Sequence, residues 1–154
     1  MNLWQRYEKN RKDALPSQGI SLHFEKGIEP EFRKDCMHFV RWLRKKYTFP
    51  VHANIYIKDC EKIRLADGSY AYGGFRWFND DRPPYIRIPA RIAGDWVSED
   101  DPIGNYYSIL GSLVHELTHY FQWIDKTELT ERQANFFRFR IIDLYCKENN
   151  LFEE

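Results

Sequence analysis

Two histidines and a glutamate stand at the spacing of a metal-binding helix. Residues 115–119 read His-Glu-Leu-Thr-His, so His115 and His119 are four positions apart. In an α-helix this spacing puts both imidazoles on one face, one turn apart, where they can bind one metal ion at about 2.0–2.1 Å. Glu116 lies on the adjoining flank, where its carboxylate can take a proton from a metal-activated water without being a ligand. The pattern therefore predicts zinc chemistry; the alternative is two histidines on a solvated face.

A catalytic zinc site needs three protein ligands and one open position, so a third ligand must follow. Asp125 has the spacing of a longer zinc motif, but that motif needs glycine at position 122, which is Gln122, and a later Met-turn that is absent. If the helix runs to Ile124 and the chain then turns back, a rise of 1.5 Å per residue returns Glu131 to about the level of His119. Glu131 is therefore the predicted third ligand. The alternative is a first-turn acid that interacts favourably with the helix dipole.

Two further roles fall to residues near this pattern. Asn135 lies one turn beyond Glu131 on the same predicted face, where its side-chain oxygen can accept the outer N–H of a ligand histidine. The negative charge that develops on a scissile carbonyl also needs a hydrogen-bond donor. The sequence does not choose among the candidates for this oxyanion donor, which are a strand residue or Tyr106, Tyr107 or Tyr120.

The helices that must position these residues follow from hydrophobic periodicity. Apolar residues at helical spacing between Leu110 and Ile124 avoid both histidines, which predicts a helix that turns the imidazoles towards a cleft. The next helix begins near Thr127 or Thr130, and Thr130 with Gln133 fits a capping box. An earlier helix begins at Pro30, because proline suits the first helical position, and ends before Pro50.

Between these helices the pattern changes to alternation, which is typical of strands. The predicted strands are residues 51–58, 63–65, 70–78 and 85–88, with a hairpin signal at Asp67-Gly68. Residues 1–28 are the least readable part of the chain, with only a short helix over residues 3–13 suggested. The order of helix, strands, helix and helix predicts an α+β fold. At 154 residues, the whole chain, 1–154, is expected to form a single domain.

Composition excludes several classes of protein. Apolar residues make up 43% of the chain, but no apolar run approaches the roughly 20 residues of a membrane helix, and no export signal is visible. Cys36, Cys60 and Cys146 are odd in number and widely spaced, which argues against a disulfide scaffold and for a reducing compartment. A cytoplasmic protein is expected.

Charge gives little support to nucleic-acid binding. The chain holds 23 basic and 23 acidic residues, and the excess in residues 1–50, 11 basic against 6 acidic, is modest. A nucleic-acid-binding domain usually shows a concentrated basic face. The expected partner is therefore a protein or peptide substrate, with no membrane partner, and the oligomeric state is left open.

The pattern as a whole resembles a family of metallopeptidases. His115-Glu116-x-x-His119, followed on a second helix by residues 131–135 (Glu-Arg-Gln-Ala-Asn), resembles the gluzincins. The short spacing and the Glu-x-x-Ala-Asn step are similar to the small ImmA/IrrE-type peptidases of mobile elements and their minimal relatives, the minigluzincins. The resemblance covers residues 30–147. It implies a zincin-like fold with an N-terminal helix, a small, mostly antiparallel sheet, an active-site helix and a glutamate helix.

The same resemblance implies how a substrate binds. Residues 73–77 would form the edge strand above the cleft, with residues 86–88 as its inner neighbour. A peptide substrate would pair with the residues of that edge strand, Gly74, Phe75, Arg76 and Trp77. Thr118 stands where a common variant of the family's motif, His-Glu-x-Gly-His, has glycine.

These observations predict a zinc metalloendopeptidase. One catalytic Zn²⁺ would be held by His115, His119 and Glu131, and Glu116 would act as the general base in hydrolysis of a protein's peptide bonds. Two alternatives stay open. One is a catalytically silent, zinc-stabilised module that binds a peptide or protein, and the other is a regulator of a mobile element.

Overall fold

The computed structural model of this chain describes residues 1–9, 19–91 and 102–151. Within these ranges the fold is α+β, as predicted. The helices are α1 (Pro30–Lys46), α2 (Pro102–Ile124) and α3 (Glu131–Glu148). The strands are β1 (Ile20–Phe24), β2 (Ala53–Lys58), β3 (Ile63–Arg64), β4 (Tyr70–Ala71), β5 (Gly74–Arg76) and β6 (Tyr85–Pro89).

The three long helices predicted from periodicity are confirmed, and each buries one apolar side. Helix α1 begins at Pro30 and buries one side, made of Cys36, Phe39, Val40 and Leu43. Helix α2 buries the apolar residues that the periodicity identified, among them Leu110, Leu113, Val114, Leu117 and Phe121. One core cluster joins these residues to the inner faces of β2 and β6 and to the buried side of α3. The helices are therefore held by burial of apolar area, the dominant favourable contribution to folding.

The start of α3 differs from the predicted capping box. Thr130 occupies the N-cap position, but its side chain makes no capping hydrogen bond. Its hydroxyl oxygen instead accepts a hydrogen bond from Nε2 of Gln122, 3.2 Å away, and Oε1 of Gln133 accepts from the same nitrogen at 2.7 Å. The capping-box prediction is therefore wrong, because the hydroxyl of Thr130 and the side-chain oxygen of Gln133 both accept hydrogen bonds from Gln122 of α2 instead.

The main sheet is mixed, so the prediction of a mostly antiparallel sheet is wrong. Its strand order is β1-β2-β6-β5; β1 with β2 and β2 with β6 run parallel, while β5 runs antiparallel to β6. Strand β1 lies in the part of the sequence that gave no clear signal. Helix α1 connects β1 to β2, and parallel neighbours require such a crossover. The short strands β3 and β4 form a separate antiparallel hairpin around the predicted turn at Asp67-Gly68.

The single strand predicted over residues 70–78 is two strands in different sheets. Strand β4 pairs with β3, and after Tyr72 and Gly73 strand β5 pairs with β6, with Phe75 opposite Ile86. Strand β5 is the outer strand of the main sheet, and β6 is its inner neighbour, as the resemblance implied. Trp77 follows the end of β5 and is 42% exposed.

The first residues of the chain pack on the core side of α2. Trp4 is buried, and its indole N–H donates to the hydroxyl of Thr118 at 3.0 Å. Tyr7 stacks on Phe121 with ring centroids 4.4 Å apart. A short 3-10 helix, Gln5–Tyr7, replaces the longer helix suggested over residues 3–13, of which residues 10–13 lie outside the described ranges.

Two expectations from composition can be compared with the structure. All three cysteines are free, with Cys36 and Cys146 buried. None of the described helices has the length and apolarity that a membrane crossing requires.

Candidate metal centre

Helices α2 and α3 bring His115, His119 and Glu131 to one point. The Nε2 atom of His115 lies 2.8 Å from Oε2 of Glu131, and Nε2 of His119 lies 2.9 Å from Oε1 of the same carboxylate. The turn after Ile124, where Lys126 has a positive φ of 57°, reverses the chain so that the first residue of α3 returns to the level of His119. The three candidate ligands therefore come from two helices joined by a short loop.

Gln122 fixes the orientation of the His119 ring. Its side-chain nitrogen donates to the backbone oxygen of Thr130 and to Oε1 of Gln133, so its Oε1 atom must face the other way, towards Nδ1 of His119 at 2.8 Å. An acceptor at that position requires the proton of the neutral imidazole to be on Nδ1. The lone pair on Nε2 is then directed at Glu131.

This arrangement fits a bound cation. A lone pair on Nε2 of His119 and a carboxylate oxygen of Glu131 are both acceptors, and they repel at 2.9 Å unless a proton or a metal ion lies between them. Two imidazole nitrogens and one carboxylate oxygen are a typical donor set for catalytic zinc. The ligand atoms lie within 4.8 Å of one another, and the Glu131 side chain is 71% exposed, so one side of the group is open to solvent.

His115 completes the group from a largely buried position. Its side chain is only 13% exposed, and its Nδ1 atom is buried without a hydrogen-bond partner among the described residues. Burial lowers the pKa of the imidazole, although the charge of Glu131 acts in the opposite direction. The neutral imidazole that burial favours is the form that binds metal ions.

Glu116 lies beside this group, between α2 and the start of β5. It is 8% exposed, and a Cβ atom added to Gly73 would stand 3.1 Å from its Oε1 and 3.3 Å from its Cγ. Burial, with the nearby charge of Glu131, raises the pKa of Glu116 to about 8, while the charge of Arg138 acts in the opposite direction. The structure therefore places a buried, ionisable carboxyl group beside the candidate metal ligands.

These side chains line one cavity of about 450 Å³. Its opposite wall is the β4–β5 segment, from Ala71 to Phe75, together with Leu65. Gly74 and Phe75, two of the predicted substrate-binding residues, therefore face the candidate metal ligands. Arg76 and Trp77 are exposed and are not among the residues that line this cavity. No residue of the described N-terminal ranges, 1–9 and 19–28, is among the cavity's lining residues.

The tyrosines predicted as oxyanion donors lie elsewhere. The Tyr120 hydroxyl is engaged by the backbone of Val51, whose N–H donates to it at 2.9 Å and whose carbonyl accepts from it. The Tyr106 hydroxyl donates to the carbonyl of Asp35, and Tyr107 lines a neighbouring cavity. None of the three is among the lining residues of the metal-site cavity. The helical periodicity of α2 turns them away from this cavity, so the structure brings none of the three to the candidate metal ligands.

Asn135 also lies outside the group of candidate ligands. It is exposed and lines the neighbouring cavity, whereas the hydrogen bond to Nδ1 of His119 comes from Gln122. The predicted role of Asn135 is therefore taken by a residue of α2 itself. Gln122 follows His119 by three positions, a spacing that places two side chains next to each other on a helix, and this signal could have identified it.

Asp125, already disfavoured as a ligand, is bound by the side chains of Arg6 and Tyr7 on the other side of α2.

Arg138, which the sequence analysis did not consider, is the only cation among the described residues that line the metal-site cavity. Arg138 follows Glu131 by seven positions, or two helical turns, so the sequence could have placed both side chains on the same face of α3.

Comparison of this chain with known protein families, curated proteins and solved structures finds no match.

Proposed function

We propose that this chain is a zinc-dependent peptidase of the gluzincin type, similar to the small ImmA/IrrE-like enzymes. His115, His119 and Glu131 would be the zinc ligands, and Glu116 the general base. The observation that carries this proposal is the convergence of two imidazole nitrogens and one carboxylate, from neighbouring helices, on a point open to solvent. A buried carboxylate, that of Glu116, lines the same cavity.

The residues of the chain divide the chemistry between them. Zinc, when bound, supplies Lewis acidity that polarises a carbonyl and makes water more acidic. Glu116 accepts the proton of the attacking water and returns it to the leaving amine, from a position in the wall of the same cavity. Gln122 keeps the proton of His119 on Nδ1, so that Nε2 is available as a ligand atom.

The outer strand β5 gives the substrate a place to bind. It borders the metal-site cavity through Gly74 and Phe75, and its inner edge is paired with β6. An extended peptide that adds to the outer edge gains main-chain hydrogen bonds, and its alternate side chains point towards the cavity. This mode of binding favours protein segments that are unfolded or extended.

The proposal is tested by zinc content and cleavage measured on the same samples. Purified wild-type protein should hold one zinc ion per chain and cleave an unfolded polypeptide, with fragments detected by mass spectrometry. Glu116→Gln should keep the zinc but lower the cleavage rate by about 10²–10⁴-fold, the usual contribution of a general base. Glu131→Gln should weaken zinc binding. Glu128→Gln, which removes an exposed acid from the loop between α2 and α3, should change neither zinc binding nor cleavage.

Three results would contradict the proposal in different ways. Equal cleavage by wild type and Glu116→Gln would exclude the assigned mechanism. Tight zinc binding without cleavage, and with peptide binding that Glu116→Gln leaves unchanged, would favour the silent binding module instead. Unchanged zinc affinity in Glu131→Gln would move the third ligand to another residue.

A further inference from the structure

A second cavity, of about 510 Å³, adjoins the metal-site cavity. The two cavities share three lining residues, Tyr72, Ser112 and Arg138, so Arg138 lies at the boundary between them. Beyond this boundary the second cavity has a largely apolar wall that includes Ile109, Phe139 and Ile142. A substrate held at the metal site could therefore extend past Arg138 into an apolar space.

The Arg138 side chain is held in place across α2. Its Nη2 atom donates to the backbone oxygen of Ser108 and to the hydroxyl of Ser112, both at 3.1 Å. A Cβ atom at Gly111 would lie 3.0 Å from Nε and 3.1 Å from Cγ of Arg138, so the absence of a side chain there lets the arginine lie against the helix. The guanidinium is therefore positioned by α2 although it is carried by α3.

The Arg138 guanidinium has more N–H donors than these two hydrogen bonds use. It carries five N–H groups, and both hydrogen bonds from Arg138 to the described residues of α2 use Nη2. No ion pair within 4.0 Å joins the Arg138 guanidinium to a carboxylate of the described residues. Its electrostatic interaction with Glu116 acts over a longer distance. A half-buried cation without a close counter-ion attracts an anion from outside, most strongly a carboxylate that can make two parallel hydrogen bonds.

The distance of the Arg138 guanidinium from the candidate metal ligands determines which part of a bound substrate it contacts. Ser112 and Ser108 precede His115 by three and seven residues, or by about 4.5 and 10.5 Å along the helix axis. An extended peptide advances by about 3.4 Å per residue. An extended peptide laid along α2 would therefore pass the guanidinium about one to three residues from the scissile bond.

We propose that Arg138 binds a carboxylate of the substrate one to three residues from the scissile bond. That carboxylate is either the chain terminus or an acidic side chain, and the adjoining cavity accepts an apolar group next to it. This inference rests on the proposed peptidase function and specifies its substrate class. Arg138 is thus a specificity residue rather than part of the proton-transfer machinery.

The test measures binding without cleavage. Zinc-loaded Glu116→Gln protein is titrated with four pools of random hexapeptides: free-acid and amidated C-termini, and amidated pools with one fixed Glu or one fixed Gln. A carboxylate held by a charge-assisted pair should give about tenfold tighter binding or more in one of the two comparisons, acid over amide or Glu over Gln. The comparison that shows the preference identifies the source of the carboxylate.

Variants then assign the preference to Arg138. Adding Arg138→Gln should bring the affinity ratio close to one, whereas Arg140→Gln, which removes an exposed charge from the same helix, should leave it unchanged. If Arg138→Gln does not fold, Gly111→Ala displaces the arginine without removing its charge and should lower the ratio. A ratio near one in the parent protein, or a ratio that neither Arg138→Gln nor Gly111→Ala changes, would overturn the assignment.

Failure of this assignment can be told apart from failure of the proposed function. A chain that binds zinc and prefers carboxylate peptides but cleaves none overturns the peptidase proposal alone. A chain that cleaves acid and amide pools, and Glu and Gln pools, at equal rates overturns the carboxylate site alone.

Discussion

Gln122 connects the candidate metal ligands to the start of α3. Its amide oxygen faces Nδ1 of His119, and its amide nitrogen donates to Thr130 and Gln133. One side chain therefore sets the ring orientation of His119 and ties the first turn of α3, where Glu131 lies, to α2. Groups that hold a ligand histidine from behind usually contribute strongly to metal affinity.

The substitution Gln122→Leu tests this role. It removes the acceptor for Nδ1 of His119 and should weaken zinc binding by about 10–100-fold, measured by competition with a chromophoric chelator. Gln122→Glu is the matched control, because it keeps an acceptor for His119 but loses the donor to Thr130. It should retain more of the zinc affinity than Gln122→Leu. Wild-type affinity in the leucine variant would show that His119 needs no such partner.

Gly73 immediately precedes strand β5 and faces helix α2, where a Cβ atom would lie only 3.1 Å from Oε1 and 3.3 Å from Cγ of Glu116. Gly73→Ala would force the Glu116 carboxylate or the strand to move by several tenths of an ångström. Because a catalytic group displaced by about 1 Å can lose about 10²-fold in rate, cleavage should fall by tenfold or more. Zinc content should stay at one per chain, since the substitution does not replace any of the three candidate ligands. Wild-type cleavage rates in Gly73→Ala would mean that the carboxylate has room to adjust.

The sequence was most informative where an element has one buried face. The stripes of α1 and α2 and the alternation of β2 and β6 identified these elements, and the spacing of His115, His119 and Glu131 identified three residues that the structure brings together. Periodicity reports which residues are buried, but it does not report which strands pair. The parallel pairing of β1 with β2 depends on contacts between residues more than 30 positions apart, and no local signal reveals it.

The side chains around the site that sequence reasoning did not place have a similar explanation. Tyr120 lies next to His119 in sequence, but one residue along a helix is a rotation of about 100°, so it points to Val51 instead of the cavity. The capping box at Thr130 failed because a competing partner, Gln122, comes from another helix. Arg138 belongs to the same cavity as Glu116 only because α3 packs against α2. Each of these placements is set by packing between elements.

At the scale of the whole molecule, the apolar core and the candidate metal ligands are separate groups of residues. The core cluster joins all three helices and the main sheet, and none of the candidate metal ligands belongs to it. Glu131 is largely exposed, and both histidines line the cavity instead of packing among the apolar side chains of the core. Folding therefore has a driving force that does not depend on metal, unlike that of a zinc finger, whose folding free energy is mostly that of zinc binding.

Metal removal should accordingly lower stability without unfolding the chain. At free zinc about 100 times the Kd, binding to the folded state adds about 2.7 kcal/mol, which for a domain of this length raises Tm by roughly 5–10 °C. A chelator should reverse this shift while circular dichroism at 25 °C stays that of a folded protein. In Glu131→Gln, where α3 no longer supplies a ligand, the shift at the same zinc concentration should shrink. A Tm that does not respond to zinc would contradict a site that links α2 to α3, whereas unfolding in chelator would show that the apolar core is insufficient alone.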